Sequence, residues 1–304
     1  MDIKDFEDKL TDLPPEKRKL FAELLERKQS LKRTHNAKQN FLDFVKYIWP
    51  DFIEGTHHRI IAEKFNRIAE GKLKRLIVNM PPRHTKSEFA SYMLPAFIMG
   101  RNPLTKIIQT SHTAELSQRF GRKTKQLIDS SDYKKIFPDT TLQADSKAAG
   151  RWDTSAGGEY FAAGVGGAIT GRGADLLIID DPHSEQDALS ESAMEGAYEW
   201  YTSGPRQRLQ PGGAIVLVMT RWSTIDLTGQ LMKAQAEPKA DQWEVVEFPA
   251  VLDSGTPTWP EYWKIEELES VKASLALSKW NAQWMQKPTS EEGAILKREW
   301  WKEW

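Results

Sequence analysis

Lys86 and Ser87 are the first residues in this chain whose types and order suit a chemical task. They close the stretch Arg75–Ser87, RLIVNMPPRHTKS. Leu76, Ile77 and Val78 read as a short buried strand, the next residues as a tight loop, and Lys86-Ser87 as the opening of a helix. A strand that feeds a loop into a helix N-terminus makes an anion site, because unpaired backbone N–H groups and the helix dipole point at the ligand. A lysine there suits the β- and γ-phosphates of ATP, and a hydroxyl suits their Mg²⁺. Against the pattern G-x-x-x-x-G-K-[ST] the match is partial, since Met80 and Thr85 occupy the glycine positions. The same Lys-Ser pair also serves as an ordinary helix cap. Pro82, Arg83, His84, Thr85, Lys86, Ser87 and Glu88 form the expected nucleotide-binding set.

A second stretch strengthens the first. Ala174–Pro182 reads ADLLIIDDP: an apolar run, two carboxylates, then a breaker. A continuous Leu/Ile run suits a parallel strand buried on both faces. Acids at its C-terminal end fall where open α/β sheets bind ligands. Asp180 is expected to hold Mg²⁺ together with Ser87, and Asp181 to orient and polarise an attacking water. The competing reading is an Asp-Asp-Pro turn. On the first reading the two pairs, far apart along the chain, meet at neighbouring strand tips.

The elements that must position these residues follow from the rest of the 304-residue chain, which is long enough for one large or two small domains. At 39% hydrophobic and 28% charged it has an ordinary globular composition, which excludes a disordered or fibrous chain. It has no apolar run of membrane-spanning length and no signal peptide, so a cytoplasmic location is expected. There is no cysteine, which excludes disulfides and thiolate metal sites. The six histidines show no paired metal spacing, and the adjacent His57 and His58 should face different ways on a helix. The net charge of −1 does not announce a nucleic-acid binder. Basic residues nonetheless cluster at Lys17–Lys38 and at Arg119–Lys125, either as solvated helix faces or as phosphate tracks.

In chain order, residues 1–35 read as a helical arm with Leu20, Leu24 and Leu25 on one side, packing on the main domain or on a partner. Two helices follow across residues 37–71. The second leads straight into the loop strand, so His57, His58 and Arg59 are adenine contacts in one reading and core or cap residues in the other. The helix over Ser87–Met99 should kink at Pro95. Residues 131–158 read as irregular and Glu159–Ala163 as a short strand. Gly164, Gly166, Gly167, Gly171 and Gly173 suit a mobile loop that carries Arg172. Ala214–Thr220, AIVLVMT, reads as another buried strand ending in Thr220-Arg221. With strands expected at 75–79, 106–110, 176–180, 214–219 and 243–248, the alternation with helices predicts an α/β fold with a mostly parallel, doubly wound sheet. Seven of the twelve tryptophans fall in residues 250–304, which suits a small packed subdomain with Trp280 and Trp284 on one helix face.

MPPRHTKSE, TGRGADLLIIDDP and VLVMTRWSTIDLTG, in this order, resemble the large subunit of tailed-phage terminases, the ATPases of viral DNA-packaging motors. The resemblance covers about residues 40–290. It implies an additional-strand P-loop (RecA-like) ATPase core over 36–249, a small lid subdomain over 250–290, and in 291–304 the start of a linker. Lys86, Ser87 and Arg83 then resemble the phosphate-loop lysine, the Mg²⁺ hydroxyl and an in-loop arginine. Asp180 resembles the Mg²⁺ aspartate. Asp181 stands where the family often has Glu, one methylene longer. Thr220 and Arg221 resemble a coupling motif that senses the γ-phosphate. The partners implied are double-stranded DNA, a small terminase subunit, the portal and procapsid, and ring neighbours in an infected bacterial cell. Arg119, Arg122 and Arg172 are the candidates for an arginine acting in trans. Full-length members continue into an RNase H-like nuclease, so ATP hydrolysis without DNA cleavage is expected of this chain. The rivals are a helicase-like translocase and a non-catalytic assembly module with a silent nucleotide site.

Overall fold

The computed structural model describes residues 14–146, 148–169 and 171–289. Helices α1 (Pro15–Gln39), α2 (Phe41–Ile48) and α3 (Thr56–Ala69) lead into strand β1 (Arg75–Asn79). A π-helical turn (Glu88–Met93) and α4 (Leu94–Arg101) follow the loop, then β2 (Lys106–Ser111), α5 (Ala114–Asp129) and α6 (Ser131–Ile136). Next come β3 (Arg151–Asp153), β4 (Glu159–Gly164), β5 (Ala174–Asp180), α7 (Glu191–Ser203) and β6 (Leu209–Met219). The described chain ends with α8 (Leu227–Ala234), β7 (Glu244–Glu247), α9 (Ile265–Ala273), the single turn α10 (Leu277–Lys279) and a second π-helical turn (Trp280–Trp284). Side-chain caps fix several helix starts: Asn40, Thr113, Ser130, Ser190 and Asp226 each accept from a backbone N–H of the first turn.

The sheet order is β3-β4-β2-β5-β6-β1-β7. Every neighbouring pair is parallel except β3 with β4. The central strands are buried on both faces, so they need no polar alternation, and their side chains divide by the two-residue period. Leu76, Val78, Leu176, Ile178, Val216 and Val218 join one core with Phe41, Phe44, Phe65, Phe89 and Phe97. Ile77, Leu177, Ile179, Ile215 and Leu217 join the other with Tyr201, Leu227 and Leu231. A third, smaller cluster holds Ala250, Leu268, Trp280 and Trp284, with the last two rings stacked at 5.7 Å.

Several expectations need correction. β1 and β5 are not neighbours, because β6 lies between them and pairs with both. β6 also starts five residues earlier than the apolar run suggests, at Leu209. Residues 131–158 are not wholly irregular, since they contain α6 and β3. Pro95 lies inside a continuous helical run from Lys86 to Arg101, and the irregularity there is the π-helical turn just before it. Leu20 and Leu24 on α1 are exposed rather than packed. Residues 1–13 of the arm and 290–304 of the expected linker lie outside the described residues.

Candidate active site

The loop between β1 and the π-helical turn does without glycine at a cost. Arg83 and Thr85 both adopt positive φ, 61° and 68°. For a β-branched residue this region is strained by about 1–3 kcal/mol. The strain is held by a hydrogen-bond chain. Gly55 N–H donates to His58 Nδ1 at 2.8 Å, so the ring carries its proton on Nε2. His58 Nε2 is 2.6 Å from Thr85 Oγ1, and that hydroxyl in turn donates to the His84 carbonyl. His58 is thus a clamp on the loop, not a free base contact. Nor do the two adjacent histidines face apart: the rings of His57 and His58 lie 3.8 Å from each other, both buried. Burial holds all three histidines neutral, with His58 pushed down to about 2, His57 to about 3 and His84 to about 4. Arg59 pairs with Glu54.

Lys86 and Ser87 then project toward the tip of β5. Ser87 Oγ donates to Asp180 Oδ1 at 3.0 Å, and Lys86 Nζ is 3.0 Å from Asp181 Oδ2. The two pairs therefore meet, across the width of β6. Asp180 is fully buried and also accepts from Ser91 Oγ at 2.7 Å. Behind Ser91 a buried relay continues: Gln109 Nε2 donates to Ser91 Oγ at 3.2 Å and the Tyr160 hydroxyl donates to Gln109 Oε1 at 3.1 Å. Burial, with the Asp181 carboxylate alongside, pushes the Asp180 carboxyl up to about 7. A buried carboxylate beside one hydroxyl is a poor all-protein metal cage. It fits Mg²⁺ that arrives on nucleotide phosphates and takes only one or two protein ligands.

Asp181 itself sits at φ 43° and is fixed on every side. Its N–H donates to the Val218 carbonyl, and its carbonyl accepts from the backbone and ring nitrogens of His112. Its Oδ1 accepts from Thr220 N–H at 2.9 Å. The Thr220 hydroxyl donates to the Met80 carbonyl at 3.2 Å, tying the β6 tip to the start of the loop that carries Lys86. This is why a strand between β1 and β5 matters: its end residue touches both.

Arg221 is placed differently from its expected phosphate-sensing role. Its Nε donates to both oxygens of the fully buried Asp226, one nitrogen lies 3.3 Å from Glu247 Oε1, and another donates to the Ser223 carbonyl. Asp226 also accepts from Trp222, Ser223 and Gly229 N–H groups. At Gly229 any side chain would meet the Thr224 carbonyl oxygen at 1.9 Å, so only glycine fits this turn. Glu88, expected at the nucleotide, is bound by Lys123 Nζ at 2.7 and 2.9 Å. Arg172 stacks on Phe161, 4.1 Å from the ring centre, before the start of β5, a strand that runs about 20 Å to Asp180 at its other end. Arg119 and Arg122 are exposed on α5, and Pro82 and Arg83 lie on the loop itself.

The sequence reading missed Ser91, Gln109, Asp226 and Gln286. Ser91 had a local signal, a polar residue within an apolar helical stripe. Gln109 and Gln286 bond to partners far along the chain, whereas Asp226 collects its partners within its own turn.

No protein-family model and no curated protein sequence matches the chain. Among solved structures it is similar to the HK97 bacteriophage large terminase (TM-score 0.48, 11% identity, 74% of this chain and 50% of that one). It thus spans half the length of that protein. It is also similar to the ATPase domain of the Thermus phage P74-26 large terminase, in a mutant form (TM-score 0.50, 13% identity, 81% of this chain and 98% of that one). The strand order and the span of the second match agree on the architecture: this chain has the α/β, RecA-like fold of a phage large-terminase ATPase domain.

Proposed function

We propose that this chain hydrolyses ATP with Mg²⁺ and drives double-stranded viral DNA into a procapsid. One observation carries the reading: Lys86-Ser87 and Asp180-Asp181, about ninety residues apart, converge with Nζ–Oδ2 and Oγ–Oδ1 distances of 3.0 Å. Phosphoryl transfer asks a protein for position and charge more than for covalent chemistry. Lys86 would move from Asp181 to the β/γ-phosphate oxygens, with loop N–H groups and Arg83 supporting it. Ser87 and Asp180 would hold Mg²⁺, which supplies charge neutralisation between the phosphates when bound. Asp181, released by Lys86 but still held by Thr220 N–H, would orient the attacking water. Thr220 would carry the coupling role alone, with Arg221 as its structural anchor.

The remaining parts of the proposal are coarser. Residues 1–35 would be an arm, 36–249 the motor core and 250–290 a lid. A ring of copies on a portal, with a small terminase subunit, would work in the host cytoplasm, and among the described residues no helix is long and apolar enough to cross a membrane. An arginine in trans, from Arg119, Arg122 or Arg172, would be worth about 10³–10⁵ in rate. An alanine scan against protein concentration checks it, since loss of a true trans arginine abolishes the concentration dependence. One observation favours a second reading, a silent nucleotide site: Thr85 is strained at the position where the phosphate-loop pattern has glycine.

Steady phosphate release from Mg·ATP decides between the two. The motor reading expects release by the wild-type chain and none by Lys86→Ala or Asp180→Ala. Equal rates in all three, or none in the wild type, overturn it.

A further inference from the structure

Two consecutive amides at the tip of β6 have partners in different parts of the molecule. Thr220 N–H donates to Asp181 Oδ1 at 2.9 Å, while Arg221 N–H donates to Gln286 Oε1 at 3.1 Å. The two peptide planes share the Thr220 Cα, so a rotation of one is passed to the other through a single pair of dihedrals. The far side of this hinge is immobilised, because the Arg221 guanidinium is clasped by Asp226, Glu247 and the Ser223 carbonyl. The Gln286 bond is the point at which residues 250–289 hold the hinge.

Gln286 is built for this contact. It is buried, and it adopts φ 57°, unusual for a residue with a side chain. Its Nε2 donates to the Gln283 carbonyl, which fixes the amide group so that Oε1 faces Arg221. The positive φ ends the π-helical turn Trp280–Trp284, and Ala250 N–H donates to the Trp284 carbonyl at 2.6 Å. The same segment touches the phosphate loop: the Trp263 ring lies parallel to His84 at 6.0 Å, and Trp284 meets His84 edge-on at 6.4 Å. One small cluster of side chains therefore grips both the loop that carries Lys86 and the strand tip that holds Asp181.

We propose that Gln286 is a positioning residue for Asp181, setting the orientation of that carboxylate through the Arg221 and Thr220 amides, so that any displacement of residues 250–289 is felt at the site. The effect on rate rests on the ATPase reading, whereas the linkage itself is a property of the fold.

Residue-resolved amide exchange tests the linkage without nucleotide. In Gln286→Met, which keeps the volume and removes the acceptor, the Arg221 and Thr220 amides should both lose protection, by about tenfold, the middle of the usual range for coupled sites. Gln286→Gly, which removes the acceptor and relieves the positive φ, should do the same and guards against a Met variant that fails to fold. Loss of protection at Arg221 with Thr220 unchanged overturns the proposal. The reciprocal arm uses Asp181→Ala, which should deprotect Arg221 as well as Thr220; an unchanged Arg221 overturns it too. In steady-state kinetics the Gln286 variants should lose kcat by about tenfold while KM and Mg·ADP affinity stay within about twofold, because a mispositioned carboxylate acts on the chemical step. Weakened binding with kcat intact overturns the proposal. A wild-type chain that releases no phosphate defeats the ATPase reading instead and leaves the exchange result to decide the linkage.

Discussion

Lys86 Nζ and Asp181 Oδ2 stand 3.0 Å apart, so the cation that would grip a phosphate and the carboxylate that would hold water neutralise each other. On the proposed reading, ATP must break this pair before it can be hydrolysed. Asp181→Asn keeps an acceptor for Thr220 N–H but releases Lys86. The variant should therefore bind Mg·ATP more tightly than wild type while its kcat falls by about 10²–10⁴, the usual worth of a positioned base. Titration with a fluorescent ATP analogue and a phosphate-release assay check the two halves. Loss of both binding and turnover would show instead that Asp181 builds the site rather than acting in it.

Much of this arrangement was legible in the residue order. Leu76–Val78, Leu176–Ile179 and Ile215–Val218 are apolar runs of strand length, and each is a buried parallel strand. Lys86-Ser87 and Asp180-Asp181 stand out together because each follows an apolar strand run, at the edge where open α/β sheets bind ligands. Strand order was less legible. Nothing local in β6 says that it lies between β1 and β5, since that is decided by helix packing on both faces. The seats of Arg221 and Glu88 were also hidden. Each is an ion pair with a residue chosen by the folded backbone, Asp226 in a turn that only Gly229 permits and Lys123 on another helix. The π-helical turn escaped because its residues, EFASYM, suit an ordinary helix equally well.

Asp180 makes the site sensitive to pH. Its carboxyl, ordinarily near 3.8, is pushed up to about 7 in the fold by burial and by Asp181. Between those values the folded chain without Mg²⁺ holds a proton that the unfolded chain has released. Fold stability from this group is thus present at low pH and lost as pH rises toward 7. On the proposed reading, binding of Mg·nucleotide must expel that proton. Its apparent affinity should rise up to about tenfold per pH unit from pH 6 to 7 and level off above, as measured by titration of Mg·ADP at several pH values. Asp180→Asn should remove the dependence and raise the melting temperature at pH 8.

The histidine cluster acts in the opposite sense. His57, His58 and His84 are held neutral by burial, at about 3, 2 and 4, whereas unfolding returns each to about 6.5. Their stability contribution is complete above pH 6.5 and is lost as pH falls toward those folded values, because the unfolded chain alone takes up protons. Each histidine costs up to about 1.4 kcal/mol per pH unit in that window. Urea denaturation at pH 7.5, 6.0 and 5.0 should show a steep acid decline. His57→Phe, a buried ring without a titrating group, should make that decline shallower by about one histidine's share. An identical slope in the variant would mean that carboxylates elsewhere govern the acid limb.

Asp226 is the test of whether the turn after Thr220 is held by its buried ion pair. It is fully buried and receives Arg221 together with three backbone N–H groups. Asp226→Ala leaves the guanidinium of Arg221 with Glu247 as its one charged partner and strips the cap from α8. Removing one partner of a buried pair costs about 3–5 kcal/mol, and the lost cap adds about 1 kcal/mol. The fold should lose that stability in urea, and kcat should fall with it, because Arg221 anchors the peptide beside Thr220. Arg221→Met leaves the buried Asp226 carboxylate without its cation but still accepting three backbone N–H groups, so it should cost about the same 3–5 kcal/mol without the further loss of the cap. It should nevertheless slow turnover as much as Asp226→Ala does. A variant that is destabilised yet turns over normally would separate the turn from the Thr220–Asp181 bond, and Arg221 would then be an anchor for the fold alone.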